Sequence, residues 1–470
     1  MSKTSTYACN DYQQVNVSRR SLLKIGGAGM LGLSMPRLLQ AKEKQAEAAK
    51  KIAPRAKSVV FLFQFGGPSH LETFDMKPDA PDGIRGLFKP ISSNVPGIQV
   101  CEHLPAMAGV MDKVCLVRSM THTMKSHNSA SYYALSGRAP PVDDIRLKDS
   151  LELFPAYGSV VDRLSPSNSE MPTFVSHPYI ISDGSRTPGQ FASFLGKNND
   201  PLLITSDPNS RDFKLPELSL PAGLSLDRLE SRRELQQVVD KQSRLLDTSA
   251  KARGLDDYYD SALAMLRSTD VAKAFDLAAE PEKVRDRYGR TTYGQSCLLA
   301  RRLVESGVKF VNVYFSEGIG GRSTTSGGWD THGFDNTRMF PIIEKYHLPL
   351  TNKVLPVFLS DLDERGLLDD TLVVWMGEFG RTPKINANVS RDHWPGCYTA
   401  LLAGGGVKRG YVHGASDKNA SYPARDPVKP DDLAATMFYL LGIDPQTEVY
   451  DAANRPLTIA AGDPVMDLLA

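Results

Sequence analysis

Short runs of apolar residues punctuate the chain, and most of them end in polar or glycine-rich sequence. The first, Ser58–Phe65, breaks into Gly66-Gly67-Pro68 and reads as a buried strand entering a loop. Val114–Val117, Thr173–Ser176, Val308–Phe315, Thr371–Met376 and Tyr398–Ala403 have the same character and are further strand candidates. Between them, apolar positions recur at helical spacing over Leu104–Met111, Ser129–Leu135, Tyr157–Leu164, Tyr293–Glu305, Ile342–Arg365 and Asp431–Leu441. Strands alternating with helices predict an α/β sandwich, a central and largely parallel sheet flanked by helices on both faces. In such a sheet, chemistry sits just beyond the carboxyl ends of the strands. The segment 226–287 breaks the alternation. Its dense charges surround Leu and Ala at helical spacing, so it reads as a helical insertion or cap whose charges are solvated faces, or else shape a substrate cleft or an oligomer contact.

Length and charge narrow the function classes. With 470 residues, of which 41% are apolar, the chain can bury a core without help from disulfides. Its 55 basic residues against 54 acidic ones lack the excess that binding a phosphate backbone requires, so nucleic acid is not an expected partner. No stretch reaches the roughly 20 apolar residues of a membrane span, and none is expected in the mature protein. Ser18-Arg19-Arg20-Ser21-Leu22-Leu23-Lys24 precedes a short apolar stretch, Ile25 to Leu33, in the layout of a twin-arginine signal. Residues 1–48 are therefore expected to be a signal and linker, residues 57–470 the folded domain, and the location periplasmic or extracellular, reached through the twin-arginine export machinery. A glycine fingerprint at Gly27 to Gly32 follows no strand and is not a nucleotide loop. Cleavage near Ala41 or Ala48 would remove Cys9. The remaining Cys101, Cys115, Cys297 and Cys397 have no metal-binding spacing and read as buried thiols, with one or two disulfides as the alternative.

Most of the nine histidines lie in loops beside acids, glycines or hydroxyl residues. Loops after strands are where catalytic groups and metals are held. In Gly328-Trp329-Asp330-Thr331-His332-Gly333, a carboxylate and an imidazole two residues apart can reach one divalent ion; the alternative is an Asx-type turn. Glu378 and Arg381, after the strand ending at Met376, suit a metal ligand and an oxyanion clamp, or else an exposed ion pair. In Arg391-Asp392-His393-Trp394, His393 is the favoured ligand, with Asp392 a co-ligand or an orienter. Gly66 and Gly67 can offer amides to an anion, with Ser69, His70, Glu72 and Asp75 behind them, or form a plain turn. Around His122 and His127, Ser129 lies near a helix N-terminus, where it is either an activated nucleophile or simply an N-cap.

Taken in order, the twin-arginine signal, FQFGGPSHLETFD, the SHNS-to-SGR helix, GGWDTHG, GEFGRTP and RDHW resemble the bacterial family named domain of unknown function 1501. The resemblance runs from about Lys57 to the C-terminus. That family resembles a branch of the alkaline phosphatase and sulfatase superfamily. The resemblance implies an α/β sandwich with a metal centre at the strand ends, Asp330, His332, Glu378 and His393 among the metal-ligand positions, and His127 to Ser129 near the nucleophile. It departs from the superfamily where Gln64-Phe65-Gly66 stands in place of a metal-binding aspartate, so that Asp75 or His70 would have to substitute. It departs again where Glu378-Phe379 replaces Asp-His, and no C-x-P-S-R or S-x-P-S-R string occurs. The expected function is hydrolysis of phosphate or sulfate esters, including those on polysaccharides. Asp75, Asp330, His332, Glu378, Asp392 and His393 would hold one or two divalent ions, with zinc, calcium and manganese not distinguished. His127, Ser129 and Arg381 would act on the ester, and Gly66, Gly67, Ser69 and His122 would bind it. The rival expectation is a non-catalytic scaffold that binds anionic glycans at the cell surface.

Overall fold

Side chains along a strand alternate between its two faces, so a strand buried on both sides must supply two cores at once. The central strands do this. The computed structural model describes residues 52–213, 228, 231, 263–315, 328–333 and 338–470. Residues 53–470 form one compact unit. The expected signal over 1–48, with Cys9, and much of the expected insertion over 226–287 lie outside the described residues.

One sheet contains eight strands: β1 (Ser58–Phe63), β2 (Val114–Met120), β3 (Phe174–His177), β4 (Leu202–Leu203), β5 (Phe310–Tyr314), β6 (Thr371–Met376), β7 (Tyr398–Ala403) and β8 (Tyr411–His413). Their spatial order is β8-β2-β7-β6-β1-β5-β3-β4. Only β7 runs against the others: it is antiparallel to both β6 and β2, while the remaining pairs are parallel. The fold is an α/β sandwich around a largely parallel sheet. Each of the six strands expected from apolar runs lies in this sheet, and β4 and β8 are the short edge strands that carry no such run.

Val60 and Leu62 of β1, with Val373 and Trp375 of β6, face one core, which helices α3 (Thr292–Glu305) and α4 (Leu348–Glu364) cover. Val59, Phe61 and Phe63, with Leu372, Val374 and Met376, face the other, beneath α1 (His127–Ser136), α2 (Tyr157–Leu164) and α5 (Pro430–Leu440). The described end of the 226–287 segment is helical over Thr269–Phe275 and Glu282–Tyr288. Val271, Ala274 and Phe275 are buried in the first core, so this end belongs to the domain's packing. Cys101, Cys115, Cys297 and Cys397 are buried free thiols, and burial pushes the Cys101 and Cys115 thiols up to about 12.

Register places the site. Phe63 of β1 lies level with Met376 of β6 and Tyr314 of β5, so three central strands end together and release their following loops side by side. Antiparallel β7 starts at the same end, which brings the preceding residues, His393 included, to those loops.

Candidate metal centre

The loop after β1 turns on Gly66, whose φ of +100° favours glycine. A Cβ there would collide with the main-chain nitrogen of Asp330 and lie 2.7 Å from the carbonyl carbon of Trp329. The Trp329 amide donates to Phe65 O at 2.9 Å, and the Gly66 amide donates to the Glu378 carboxylate at 2.8 and 3.1 Å. Thus the loops after β1, β5 and β6 are joined by main-chain contacts too close to admit side chains. A two-residue ribbon pairs Arg381 with His393 and ties the loop before β7 to them.

Asp330 lies at the centre, 3% exposed. Its Oδ1 is 2.7 Å from His393 Nε2 and accepts from Arg381 at 3.1 Å; its Oδ2 is 3.2 Å from both His127 Nε2 and His332 Nε2. Burial disfavours its charge, but hydrogen bonds from His127, His332 and His393 prevail and hold its carboxyl far below the usual carboxylate range. Ligand atoms of His127, Asp330 and His393 all lie within 4.8 Å of one another.

Two of these histidines are oriented from behind. His393 Nδ1 lies 3.0 Å from Lys125 O, and a carbonyl only accepts, so Nδ1 carries the proton. Burial lowers the pKa of His393 to about 4, against the pull of Asp330. Its Nε2 faces an Asp330 carboxylate oxygen at 2.7 Å. At that separation a proton or a metal ion joins the two atoms. His127 is also held from behind: its Nδ1 donates to Glu378 Oε1 at 2.8 Å, and its buried Nε2 faces Asp330 Oδ2 at 3.2 Å. Burial pushes the His127 pKa down, but Asp330 and Glu378 outweigh it and raise it to about 10. Nδ1 held by a carbonyl or carboxylate with Nε2 turned inward is the arrangement of metal-ligating histidine. Phe379 stacks on His393 at 4.3 Å between ring centroids, and Phe65 and Phe379 each lie 5.2 Å from His127, so the centre has apolar walls.

The expected site residues divide accordingly. Asp330, His332 and His393 come together, and His127, expected to act on the ester, lies with them. Glu378, expected as a metal ligand, stands behind His127, its oxygens occupied by His127 and the Gly66 amide, and so orients that ring. Asp392 points away, exposed and bonded to Asn386, because adjacent residues on an extended segment diverge. Asp75 is paired with Lys77, Arg118 and Ser416, outside the cluster. Arg381, expected as an oxyanion clamp, is fully buried and donates to the carbonyls of Gly66, Gly67, Trp329 and Arg391 and to Asp330. Buried in this way, it brackets the loops through these bonds. The Gly66 and Gly67 amides are likewise taken, by Glu378 and by Gln64 O. Ser69 bonds Glu72, which forms a buried pair with Arg391, and His70 faces Ala420 O at 3.0 Å. Ser129 Oγ donates to Val142 O and Asp144 O and accepts from the Asp144 amide, which fixes a loop and leaves no free nucleophile. His122 receives the Met124 amide at Nδ1 and donates from Nε2 to Glu378 O at 2.6 Å, so it is a neutral brace whose pKa burial lowers to about 4.

The contact that fixes the His393 ring had no sequence signal: its Nδ1 is held by a main-chain carbonyl, Lys125 O, which only the fold brings to the centre.

No curated protein matches the chain. The family profile described as a protein of unknown function (DUF1501) matches residues 56–469. Among solved structures, the PsFucS1 sulfatase from Pseudoalteromonas sp. is similar at 13% identity and a TM-score of 0.42, with 91% of this chain and 74% of that chain covered. A protein in the alkaline phosphatase superfamily from Vibrio parahaemolyticus is similar at 11% identity and a TM-score of 0.40, covering 90% and 74%. Phosphonate monoester hydrolase SpPMH from Silicibacter pomeroyi is similar at 12% identity and a TM-score of 0.31, covering 78% and 71%. At these scores the likeness assigns neither activity nor residues to this chain.

Proposed function

We propose, from the premise that the chain belongs to the DUF1501 family of proteins of unknown function, that it is a metal-dependent hydrolase of phosphate or sulfate esters. The observation that carries this reading is the convergence of His127, Asp330 and His393, whose ligand atoms all lie within 4.8 Å of one another. His127, Asp330 and His393 would hold one divalent cation, with His332 beside them and Glu378 and Lys125 O fixing the two rings. A bound divalent cation supplies Lewis-acid polarisation of an ester oxygen. Phe65 and Phe379 keep bulk water from the donors, which strengthens every charge interaction there. The substrate would be an anionic ester, polysaccharide esters included, and the twin-arginine route would deliver the enzyme to the periplasm or beyond. Among the described residues, no helix is long and apolar enough to cross a membrane.

A second reading, a non-catalytic scaffold that binds anionic glycans, gains support from Arg381 and Ser129, whose polar atoms are committed internally. Elemental analysis of the purified protein and of Asp330→Ala, followed by assays on p-nitrophenyl phosphate and p-nitrophenyl sulfate, separates the readings. The hydrolase reading expects about one divalent ion per chain, lost in the variant together with activity. Retained metal with no hydrolysis of either ester would leave the scaffold.

A further inference from the structure

Residues 87–88, residues 102–103, the helical turn Met339–Ile342 and Val389 enclose a cavity of about 500 Å³ that contains none of the metal-centre donors. Its volume falls within the roughly 300–1,000 Å³ of small-molecule sites. Part of its lining is aromatic: the Phe88 ring lies edge to face with His103 at 4.5 Å and with Phe340 at 5.6 Å between centroids. The rest is polar, with Arg338, Glu102 and Glu344 all exposed along it. His103 Nε2 lies 4.0 Å from Glu344 Oε1, and among the described residues no hydrogen bond or ion pair engages the Arg338 guanidinium.

One wall of this cavity is tied to the loops of the metal centre. Val389 is 45% exposed at φ +54°, a conformation that a β-branched residue adopts only when its surroundings impose it. Asn386 imposes it: its Oδ1 accepts the Asn388 and Ser390 amides at 2.9 and 3.1 Å, and its O accepts the Val389 amide at 3.1 Å. Asn386 Nδ2 donates to His332 O at 3.1 Å and to Asp392 Oδ1 at 3.0 Å. A Cβ on Gly333 would lie 2.5 Å from Asn388 Cβ, so the chain just after His332 touches the turn that carries Val389. On the other side, Ser390 Oγ accepts the Met339 amide at 2.9 Å, which joins the turn to the residue before Phe340. A single rigid turn therefore links the cavity to the main chain of His332 and to the residue before His393.

We propose that this cavity seats an uncharged sugar ring of the same glycan whose ester lies at the metal centre. Aromatic side chains suit the apolar C–H face of a sugar, while carboxylates and a guanidinium suit its hydroxyls. Charge decides against the other occupants. Two carboxylates beside one guanidinium leave no excess of positive charge to hold an anionic ring, and an acyl chain would desolvate three charged groups without pairing them. That the ring belongs to the substrate rests on the hydrolase reading above; that the cavity binds a sugar does not.

Calorimetric titration of the full chain with cello-, manno- and galacto-oligosaccharides, unmodified and sulfated, tests this without turnover. At least one unmodified series should bind, and Arg338→Ala and Glu344→Gln, both changes of exposed side chains, should each weaken it about tenfold. Tyr450→Ala, an exposed change outside the cavity, should leave the affinity unchanged. No binding of any unmodified series, or equal binding by the parent and both cavity variants, would overturn the sugar site. Binding of the sulfated series alone, lost in Arg338→Ala and kept in Glu344→Gln, would overturn the uncharged ring. Binding as expected without hydrolysis of p-nitrophenyl phosphate or p-nitrophenyl sulfate would overturn the hydrolase reading, and of this proposal only the link between ring and ester.

Discussion

Replacing Arg381 distinguishes a loop bracket from an anion clamp. Its guanidinium is fully buried and donates to Gly66 O, Gly67 O, Trp329 O, Arg391 O and Asp330 Oδ1. Methionine fills much of the same volume but removes the guanidinium donor from every one of those acceptors and one positive charge from beside Asp330. Summing about 1.5–3 kcal/mol for each charged hydrogen bond would overshoot, because bonds from one group are not additive. The appropriate figure is that for breaking a buried pair on one side, about 3–5 kcal/mol. For a domain of this size a urea m-value of roughly 3 kcal/mol/M or more is expected, so the unfolding midpoint should fall by about 1 M. Fluorescence of Trp329, whose carbonyl Arg381 holds at 2.7 Å, is a local probe of the transition. Arg381→Lys keeps the charge but loses the fork, and should fall between the parent and the methionine variant. A midpoint unchanged in both variants, with any defect confined to KM for an anionic ester, would refute the bracket and restore the clamp.

Ser129→Ala should retain ester hydrolysis within about threefold of the parent, since its hydroxyl is engaged with Val142, Asp144 and nothing in the centre; a nucleophile would instead lose several orders of magnitude. Gly66→Ala should destabilise by about 3 kcal/mol or more and depress cation uptake, because the new methyl meets Asp330 and Trp329, whereas Gly83→Ala, at φ +84° with open space around it, should cost only about 1–2 kcal/mol by urea denaturation.

The sheet was legible because parallel strands buried on both faces leave unbroken apolar runs, and six such runs became β1, β2, β3, β5, β6 and β7. Short edge strands such as Leu202–Leu203 and Tyr411–His413 carry too few residues to show a pattern. The helix read over Ile342–Arg365 is interrupted, with a π-helical turn at Ile343–His347 before α4, which apolar spacing alone does not reveal. At the site, Asp330, His332 and His393 were identifiable as polar residues in loops after or before strands. Arg381 and the Gly66-Gly67 amides were read as anion binders because their real partners are main-chain carbonyls and a buried acid, and hydrogen bonds to the backbone leave no mark in the sequence. Which of Arg391, Asp392 and His393 faces inward depended on the ribbon with Gly380–Arg381, whose pairing is a long-range fact.

The strand-end position of Gln64 bears on how many cations the centre takes. The resemblance to metal-binding superfamilies raised the choice between one ion and two, and a second ion would need further carboxylates near the first. Gln64, in place of an acid, is fully buried and committed: it donates to Leu62 O at 3.1 Å and Tyr293 Oη at 3.2 Å and accepts the Trp329 indole at 3.2 Å. It thereby steadies Trp329, the residue before Asp330, and has no coordinating role. Asp75 is neutralised by Lys77 and Arg118, Asp392 faces solvent, and both Glu378 oxygens accept from the Gly66 amide while Oε1 also takes His127 Nδ1–H. Of the acids expected as ligands, Asp330 alone belongs to the converging set, which among the described residues comprises His127, Asp330 and His393. On the proposed metal-centre reading, elemental analysis should therefore find about one divalent ion per chain, and two per chain would refute the reasoning.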